Sequence, residues 1–325
     1  MSKVKFSVVI PLAPDRNAEI LEDLKKLDYP KLRYEIIVEK GLNPSENRNK
    51  GAKKGKGEII AFLDDDAYVE KDILKKTEEF FKKYPNIDIV GGPQLTPPRQ
   101  EGFGKISGYA LTSIFGCSGI RKRYKRGRLN LNADETHITS SVLFCKKKVF
   151  KKVQFNPLLF PGEDPDFIEN AKKQGFKVAY TPDIFIYHKR RETLPELAKQ
   201  IFSYGKTRLI KENLKQTLRR PFFLIPSAFV IYLFLLLILN IDMLIINYLL
   251  FQIPKVQEIS FIFSLPLSLY LLVDILFSFF ISVKEKSMES FFVLPFVFLT
   301  IHLSYGLGML YTLIKNPRVK AYDAP

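Results

Sequence analysis

Tryptophan is absent from this chain of 325 residues, cysteine occurs twice and histidine three times. Each scarcity narrows the reading. Two cysteines, Cys117 and Cys145, supply neither a disulfide framework nor a thiolate metal set, in keeping with a reducing compartment. Without tryptophan, tyrosine and phenylalanine are the only aromatic anchors for a membrane interface. Acidic residues are also short, 34 against 50 lysines and arginines, for a formal charge of +16. Met1 to Lys5 runs straight into the apolar stretch Phe6-Ser-Val-Val-Ile10, too short for a signal core. The N-terminal part is therefore expected on the cytoplasmic side.

What the chain has in quantity is apolar sequence near its C-terminal end. Residues 222–239 carry no charge, residues 259–283 carry only Asp274, and residues 291–314 carry none beyond a possible charge on His302. Each run is long enough to cross a bilayer, and three so close together would make an implausible soluble core. The first continues past Asn240 and Asp242 to Ile253, as one tilted helix or as a helix with a re-entrant piece. Lys284 and Lys286 place their loop inside, whereas Lys315, Arg318 and Lys320 draw the tail to that same side. Three spans are expected, with four as the alternative. Asp274 and His302 are ionisable groups at span depth, candidates for mutual pairing or for contact with a lipid phosphate.

Ahead of these runs, His188 to Arg220 holds ten Lys or Arg against three Glu. A basic segment beside a membrane span is attracted to anionic headgroups and fixes its flank inside, so a membrane partner is expected and nucleic acid is not. The helical spacing from Leu194 to Leu218 suits a helix lying in the interface. The loop Arg121-Lys-Arg-Tyr-Lys-Arg-Gly-Arg128 has six cations and no acid. It is either a solvated loop or a surface for a lipid-linked phosphate acceptor or the membrane.

Residues 1–190 alternate strand and helix patterns. Strands are expected at Phe6–Ile10, Tyr34–Val38, the run into Asp64, and Ile87–Val90. Helices are expected over Asn17–Leu27, from a capping Ser45, and over Asp72–Lys83. The pattern predicts an α/β sheet built largely from parallel units, whose ligands lie beyond the carboxyl ends of the strands. Pro11, Glu39 and Asp64 all fall at those ends.

The run Ile59-Ile-Ala-Phe-Leu63 empties into Asp64, Asp65 and Asp66. Three adjacent carboxylates raise one another's pKa, so a fold that puts them at a buried strand end must supply counter-charge. A divalent cation does so most simply. Oxygen ligands suit Mg²⁺ or Mn²⁺, which share their remaining positions with substrate phosphates. A solvated acidic turn is the plainer alternative.

The ordered set Val-Val-Ile-Pro11, Glu-Ile-Ile-Val38, Asn47-Arg48-Asn49-Lys-Gly51, Gly57-Glu-Ile-Ile-Ala-Phe-Leu-Asp-Asp-Asp66 and Phe160-Pro-Gly-Glu163-Asp164-Pro-Asp166 resembles the family 2 glycosyltransferases. It covers residues 4–208. The tail, with His188, Gln200, Tyr204-Gly205-Lys206 and His302-Leu-Ser-Tyr-Gly-Leu-Gly308, is similar to membrane-attached bacterial enzymes of the succinoglycan ExoA type. The resemblance implies a GT-A fold, Rossmann-like and specific for nucleotide-diphospho-sugars, followed by C-terminal transmembrane helices. It implies Mn²⁺ or Mg²⁺ as cofactor, a UDP- or GDP-linked sugar as donor, and a lipid-linked or glycan acceptor.

Carried over by position, Asp64 and Asp66 correspond to the family's DxD pair, one toward the ribose and the other toward the metal, with Asp65 between them. Glu39 stands where the family usually has Asp against base and ribose, and Lys40 and Gly41 follow in place of Asp-Gly-Ser. Pro11 would shape the loop that receives the base, and Arg48 would lie near the nucleotide or its phosphates, a helix-surface arginine being the alternative. Gly162-Glu163-Asp164 stands at the start of a helix, where Asp164 corresponds to the catalytic base with Glu163 its neighbour, and His188, after the strand Ile184-Phe-Ile-Tyr187, stands where the family can complete the metal or diphosphate site, a plain surface histidine being the alternative. Arg190 and Arg191 suit a diphosphate by charge. The stretch from Gln200 to Tyr204 resembles the Gln-x-x-Arg-Trp signature of polymerising members, but with Ser203 and Tyr204 in place of Arg and Trp, which points to single transfers.

The expected division is a catalytic domain at 1–190, a basic interface segment at 191–220, transmembrane helices at 221–315 and a tail at 316–325. The expected function is a membrane-bound inverting hexosyltransferase of cell-surface glycan synthesis, against a catalytically silent nucleotide-binding scaffold.

Overall fold

The computed structural model describes the backbone of residues 4–211, 217, 218, 220–250 and 254–315, and the side chains of these apart from 242–260. Arg318, Lys320, the rest of the 316–325 tail, Ile253, and residues 212–216 and 219 of the basic run lie outside the described residues. The chain divides into two compact units, Met1–Arg190 and Arg191–Pro325.

In the first unit, β1 (Phe6–Leu12) lies between β2 (Tyr34–Lys40) and β3 (Ile59–Leu63), and all three run parallel. The six-stranded order is β2-β1-β3-β7-β5-β8, with β5 at Ile89–Gly91, β7 at Val142–Lys146 and β8 at Val178–Tyr180. The sheet is largely parallel, as expected, with one exception. β7 pairs antiparallel with both β3 and β5, because the long segment that follows β5 returns its Val-Leu-Phe-Cys run from the opposite end.

β1 and β3 are buried along their whole length, as apolar runs without polar alternation require when both faces of a sheet are covered. The two-residue period divides them between two cores. Val8, Ile10, Ala61 and Leu63 pack with Leu24, Leu74 and Phe80 on one face. On the other, Val9, Ile60 and Phe62 pack with Ala52, Phe155 and Phe167. Continuing that alternation one step past Leu63 sends Asp64 to the face of Ile60 and Phe62.

On that face lies α2 (Pro44–Lys54), which positions Arg48. Its N-cap is Asn43, whose side chain accepts from the Ser45 and Glu46 amides, and Pro44 takes the first helical position where no N–H is needed. This corrects Ser45, which sits inside the first turn. Gly51 lets α2 approach the sheet: a Cβ there would stand 2.4 Å from Val9 Cγ1 and 3.3 Å from Glu39 Cγ.

The helix expected over Asn17–Leu27 is also corrected, to the single turn α1 (Leu21–Leu24). Its apolar spacing holds, with Ile20, Leu24 and Leu27 buried. Its backbone, however, is used elsewhere: the Ile20 amide donates to Asp65 O at 3.2 Å and the Asp28 amide to Lys71 O at 2.7 Å. Bonds to the segment after β3 replace the helical ladder at both ends.

A second sheet, β4-β9-β6, joins Ala67–Val69, Ile186–His188 and Gln94–Leu95. β4 begins directly after Asp66, and its antiparallel register sets Ala67 opposite His188. That register brings an imidazole to the acid cluster from more than a hundred residues away. α3 (Ile73–Lys83) is followed in the chain by α4 (Gly102–Thr112), α5 (Ile114–Cys117) and α6 (Lys147–Phe150), and α7 (Glu163–Lys173) completes the parts that bear on the site.

In the second unit, α8 (Leu194–Lys211) packs along the helix Met288–Lys315, which also packs against the helices Ile225–Leu250 and Pro254–Glu285. Glycines set the approach. A Cβ on Gly205 would stand 2.1 Å from Tyr305 O, one on Gly308 2.1 Å from Phe202 O, and one on Gly306 2.4 Å from Pro226 O. Of the two ionisable groups at span depth, His302 Nδ1 meets the Tyr270 hydroxyl at 2.9 Å and Asp274 accepts from Ser278 at 3.3 Å. The structure thus gives each a hydroxyl partner.

Gly51→Ala tests the α2 contact. In an exposed helix interior the change stabilises by about 1 kcal/mol. Here the methyl must displace Val9 in a buried contact, which costs ~1–3 kcal/mol. Thermal unfolding of the purified variant is therefore expected at lower temperature than wild type, and a rise would show that the contact is looser than described.

Candidate active site

Five carboxylates converge where β3 ends and α7 begins, and two guanidiniums and an imidazole meet them. Arg48, 4% exposed, spans the centre: Nη2 lies 2.8 Å from Asp64 Oδ1 and Nη1 lies 2.8 Å from Glu163 Oε1. Burial alone would lower its pKa, but Asp64, Glu163 and Asp164 outweigh that and hold it fully charged. The reading of Arg48 as a surface residue is corrected. It is a buried bridge between the metal-type acids and the Glu163-Asp164 pair.

Asp66 shares its two oxygens between two partners, His188 Nε2 at 3.1 Å from Oδ1 and Arg16 Nη2 at 2.7 Å from Oδ2. Burial pushes its pKa up, but His188 and Arg16 together bring it well below the usual carboxylate range. His188 in turn is lowered by burial and raised more strongly by Asp66 and Asp64, for a net rise. Asp65, 6% exposed, turns to Arg16 Nε at 3.2 Å, and burial and the neighbouring Asp66 carry its pKa to about 6. Asp64 completes the group, with Oδ2 3.8 Å from His188 Nε2.

Asp64, Asp66 and His188 each offer one ligand atom, all within 4.8 Å of one another. Two carboxylates and an imidazole form a donor set that fits a divalent ion such as Mn²⁺ or Mg²⁺.

Gly162 stands at the head of α7 with φ 143°, a conformation that favours glycine, and it starts the helix at Glu163. Glu163 is locked, taking Arg48 on one oxygen and the Gly162 amide on the other at 2.9 Å. Burial and the adjacent Asp164 raise its pKa against the pull of Arg48. Asp164 differs. Its Oδ1 is buried with no hydrogen-bond partner among the described residues. Asp166 accepts from Asn170 at 3.1 Å, one turn along the helix.

Pro11 and Glu39 are register partners at the ends of β1 and β2, and Glu39 Oε1 is held by Lys54 at 2.6 Å. Arg190 is not an exposed cation: it is 7% exposed, donates to Thr96 Oγ1 at 3.2 Å and to Gln94 O, and lies over the Tyr124 ring. Arg191, in the second unit, is exposed. The basic loop is anchored, with Arg123 Nε on Glu135 O at 2.9 Å, Arg126 4.1 Å from the Phe185 ring centre, and the Gly127 amide on Tyr180 Oη. Arg16 was not singled out from the sequence. The available signal was a cation four residues beyond the carboxyl end of β1, the edge at which Asp64 also emerges.

Residues 13–154, somewhat under half of the chain, match the model of the family Glycosyl transferase family 2, and the fold is GT-A-like. The mannosyltransferase PcManGT of Pyrobaculum calidifontis, solved with GDP-Man and Mn²⁺, aligns with a TM-score of 0.52 at 12% identity, over 97% of this chain and 88% of its own. Among curated relatives, the uncharacterized glycosyltransferase EpsJ of Bacillus subtilis (strain 168) is 25% identical over 61% of this chain. The dolichyl N-acetyl-alpha-D-glucosaminyl phosphate 3-beta-D-2,3-diacetamido-2,3-dideoxy-beta-D-glucuronosyltransferase of Methanococcus voltae is 24% identical over 62% of this chain and 71% of its own. The match spans 56% of EpsJ's length. No succinoglycan-type enzyme is among these relatives.

Arg48→Met keeps length and apolar bulk while leaving the buried Glu163 and the half-buried Asp64 without their counter-charge. Removing one partner of such a buried pair costs about 3–5 kcal/mol. Urea unfolding of purified Arg48→Met is expected to shift to markedly lower denaturant, with Arg48→Lys falling between it and wild type. Equal stability of Arg48→Met and wild type would show that the two acids find other partners.

Proposed function

We propose that the protein is a membrane-bound inverting glycosyltransferase that moves a sugar from a nucleotide-diphosphate donor to a lipid-linked or membrane-proximal glycan acceptor, one sugar per encounter. The observation that carries this reading is the contrast within the acid cluster. Asp64, Asp65, Asp66 and Glu163 are each paired with a cation, Asp65 by charge alone through an Oδ2 that takes no hydrogen bond, while Asp164 Oδ1 is buried with no hydrogen-bond partner among the described residues. A general base needs an oxygen left open in this way.

In the proposed reaction Asp164 takes the proton from the acceptor hydroxyl as that oxygen attacks the anomeric carbon. The bond from that carbon to the diphosphate oxygen breaks, and the nucleotide leaves with the bonding pair. Glu163, fixed by Arg48 and the Gly162 amide, holds the head of α7 so that Asp164 faces the acceptor. Asp64, Asp66 and His188 would hold the divalent cation, which supplies Lewis-acid stabilisation of charge on the leaving diphosphate. Arg48 keeps Asp64 in position from behind. Pro11 and Glu39, at the neighbouring strand ends, are proposed to receive the base and ribose of a UDP- or GDP-linked donor, and Lys54 would yield Glu39 to it. Asp65 is proposed to support this donor site through Arg16.

The membrane assignment rests on the second unit. Phe261–Glu285 and Met288–Lys315 are long and apolar enough to cross a bilayer, and Ile225–Ile241 is a shorter apolar run. Phe261, Phe280 and Phe296 are 63–67% exposed on these helices, an arrangement unfavourable in water and favourable in lipid at about 25 cal/mol per Å². The acceptor named for the Methanococcus voltae relative, a dolichyl-linked phosphate sugar, supports a lipid-linked acceptor here. Gln200 and Tyr204, which would belong to a polymerising signature, bond each other at 3.2 Å on α8 instead, in favour of single transfers. Three crossings place the 284–286 lysine loop on the cytoplasmic side with the catalytic unit.

Asp164→Asn preserves size but accepts no proton, so transfer is expected to fall by roughly 10²–10⁴-fold while nucleotide binding, read by calorimetry, stays near wild type. Parallel loss of nucleotide affinity would assign Asp164 to the donor site instead. A reporter fused after Lys286 is expected to read as cytoplasmic; an external signal would require a different number of crossings.

A further inference from the structure

The two arginines of the acid cluster are held in opposite ways. Arg48 is 5% exposed and comes from the middle of a helix. It cannot leave without stranding two carboxylates. Arg16 is 47% exposed and comes from the turn after β1, where residues 14–17 are all exposed. It meets Asp66 at 2.7 Å and Asp65 at 3.2 Å, so its partners are the more buried members of each pair. Asp66 is at the same time one of the three residues whose ligand atoms converge.

A divalent ion bound by Asp66 would stand within a few ångströms of this guanidinium, and like charges so close repel strongly in a partly buried site. An arginine also matches a phosphate as well as it matches a carboxylate, by its planar donors. The side chain that must give way to the cation is thus suited to the group that arrives with it.

We propose that Arg16 is the releasable counter-charge of this site: it neutralises Asp66 and Asp65 before a cation enters, is displaced by the cation, and then pairs with the donor's diphosphate. This rests on the reading of Asp64, Asp66 and His188 as the cation site. Arg16 is a positioning residue in this scheme, and its consequence is that cation and nucleotide load together. Either alone meets an unfavourable arrangement, the cation facing a displaced and unpaired arginine, the diphosphate facing an uncompensated acid cluster.

The test uses the purified full-length protein and follows free Mn²⁺ by electron paramagnetic resonance, without nucleotide and with UDP or GDP. Arg16→Gln alone is expected to bind Mn²⁺ about fivefold more tightly than wild type, the size of one partly exposed ion pair. Arg16→Lys, which keeps the charge, should return toward wild type. In wild type one of the two nucleotides should tighten Mn²⁺ binding, and Arg16→Gln should lose most of that gain. Unchanged or weaker Mn²⁺ binding by Arg16→Gln overturns the counter-charge role. A nucleotide effect that is absent in wild type or undiminished in Arg16→Gln overturns the handover to diphosphate. Asp66→Asn provides the separate control: if it binds Mn²⁺ as wild type does, the cation-site reading fails irrespective of Arg16, and the proposal fails with it.

Discussion

A single guanidinium carries the burden of holding acids from two distant segments in one buried place. Asp64 is fixed to the end of β3 and Glu163 to the start of α7, the first half-buried and the second buried. Two carboxylates there repel each other and each loses hydration, penalties that neither a helix dipole nor a surface lysine offsets. Arg48 meets both with one planar group, and the pull of these acids and of Asp164 offsets the cost of its own burial. The packing of α2 on β1 through Gly51, the alternation along β3 and the glycine-led entry into α7 all serve to bring these three side chains to one point. The remaining acids are then arranged around a charge-balanced centre, with Asp66 and Asp65 on Arg16 and His188 and with Asp164 left over.

Much of this was legible in the residues. The uninterrupted apolar run before Asp64 announced a strand covered on both faces, and period-two alternation determines which face Asp64 takes. Gly162-Glu163-Asp164 read as a helix start, and α7 begins there. The long apolar runs are long helices. What escaped was set by tertiary hydrogen bonds and register. The turn at Leu21–Leu24 has the spacing of a longer helix, yet bonds from Ile20 and Asp28 to the segment after β3 outcompete the helical ladder. Ser45 had the right chemistry for a cap, but Asn43 stands before a proline and takes the role. The antiparallel insertion of β7 depends on where the chain returns after β5, which no local pattern encodes.

The cations of the site divide along the same line. Arg48 lies in a helix packed on the sheet, so its place near the strand ends could be anticipated, though not its bridge between two acids. Arg16 could not, since its turn has no periodicity and its partners are 49 and 50 residues away in sequence. His188 lies between: its strand was visible, whereas its pairing with β4 was not. Counter-charge to a buried acid cluster was predictable in kind; the chain supplies it from three sources whose separate positions depend on the fold.

The glycine contacts of the second unit bear on how that unit comes into being. α8 precedes the long helices in the chain, but the surface it fits belongs to the last of them, through Gly205 on Tyr305 and Gly308 on Phe202, with Thr312 also donating to Lys206 O at 2.7 Å. During synthesis α8 emerges roughly a hundred residues ahead of its partner, so it must wait, basic and half apolar, until the final helix is made. Closure of the unit is consequently a late event. A chain cut short anywhere before Gly308 would leave α8 without its seat, however well the first unit had already folded.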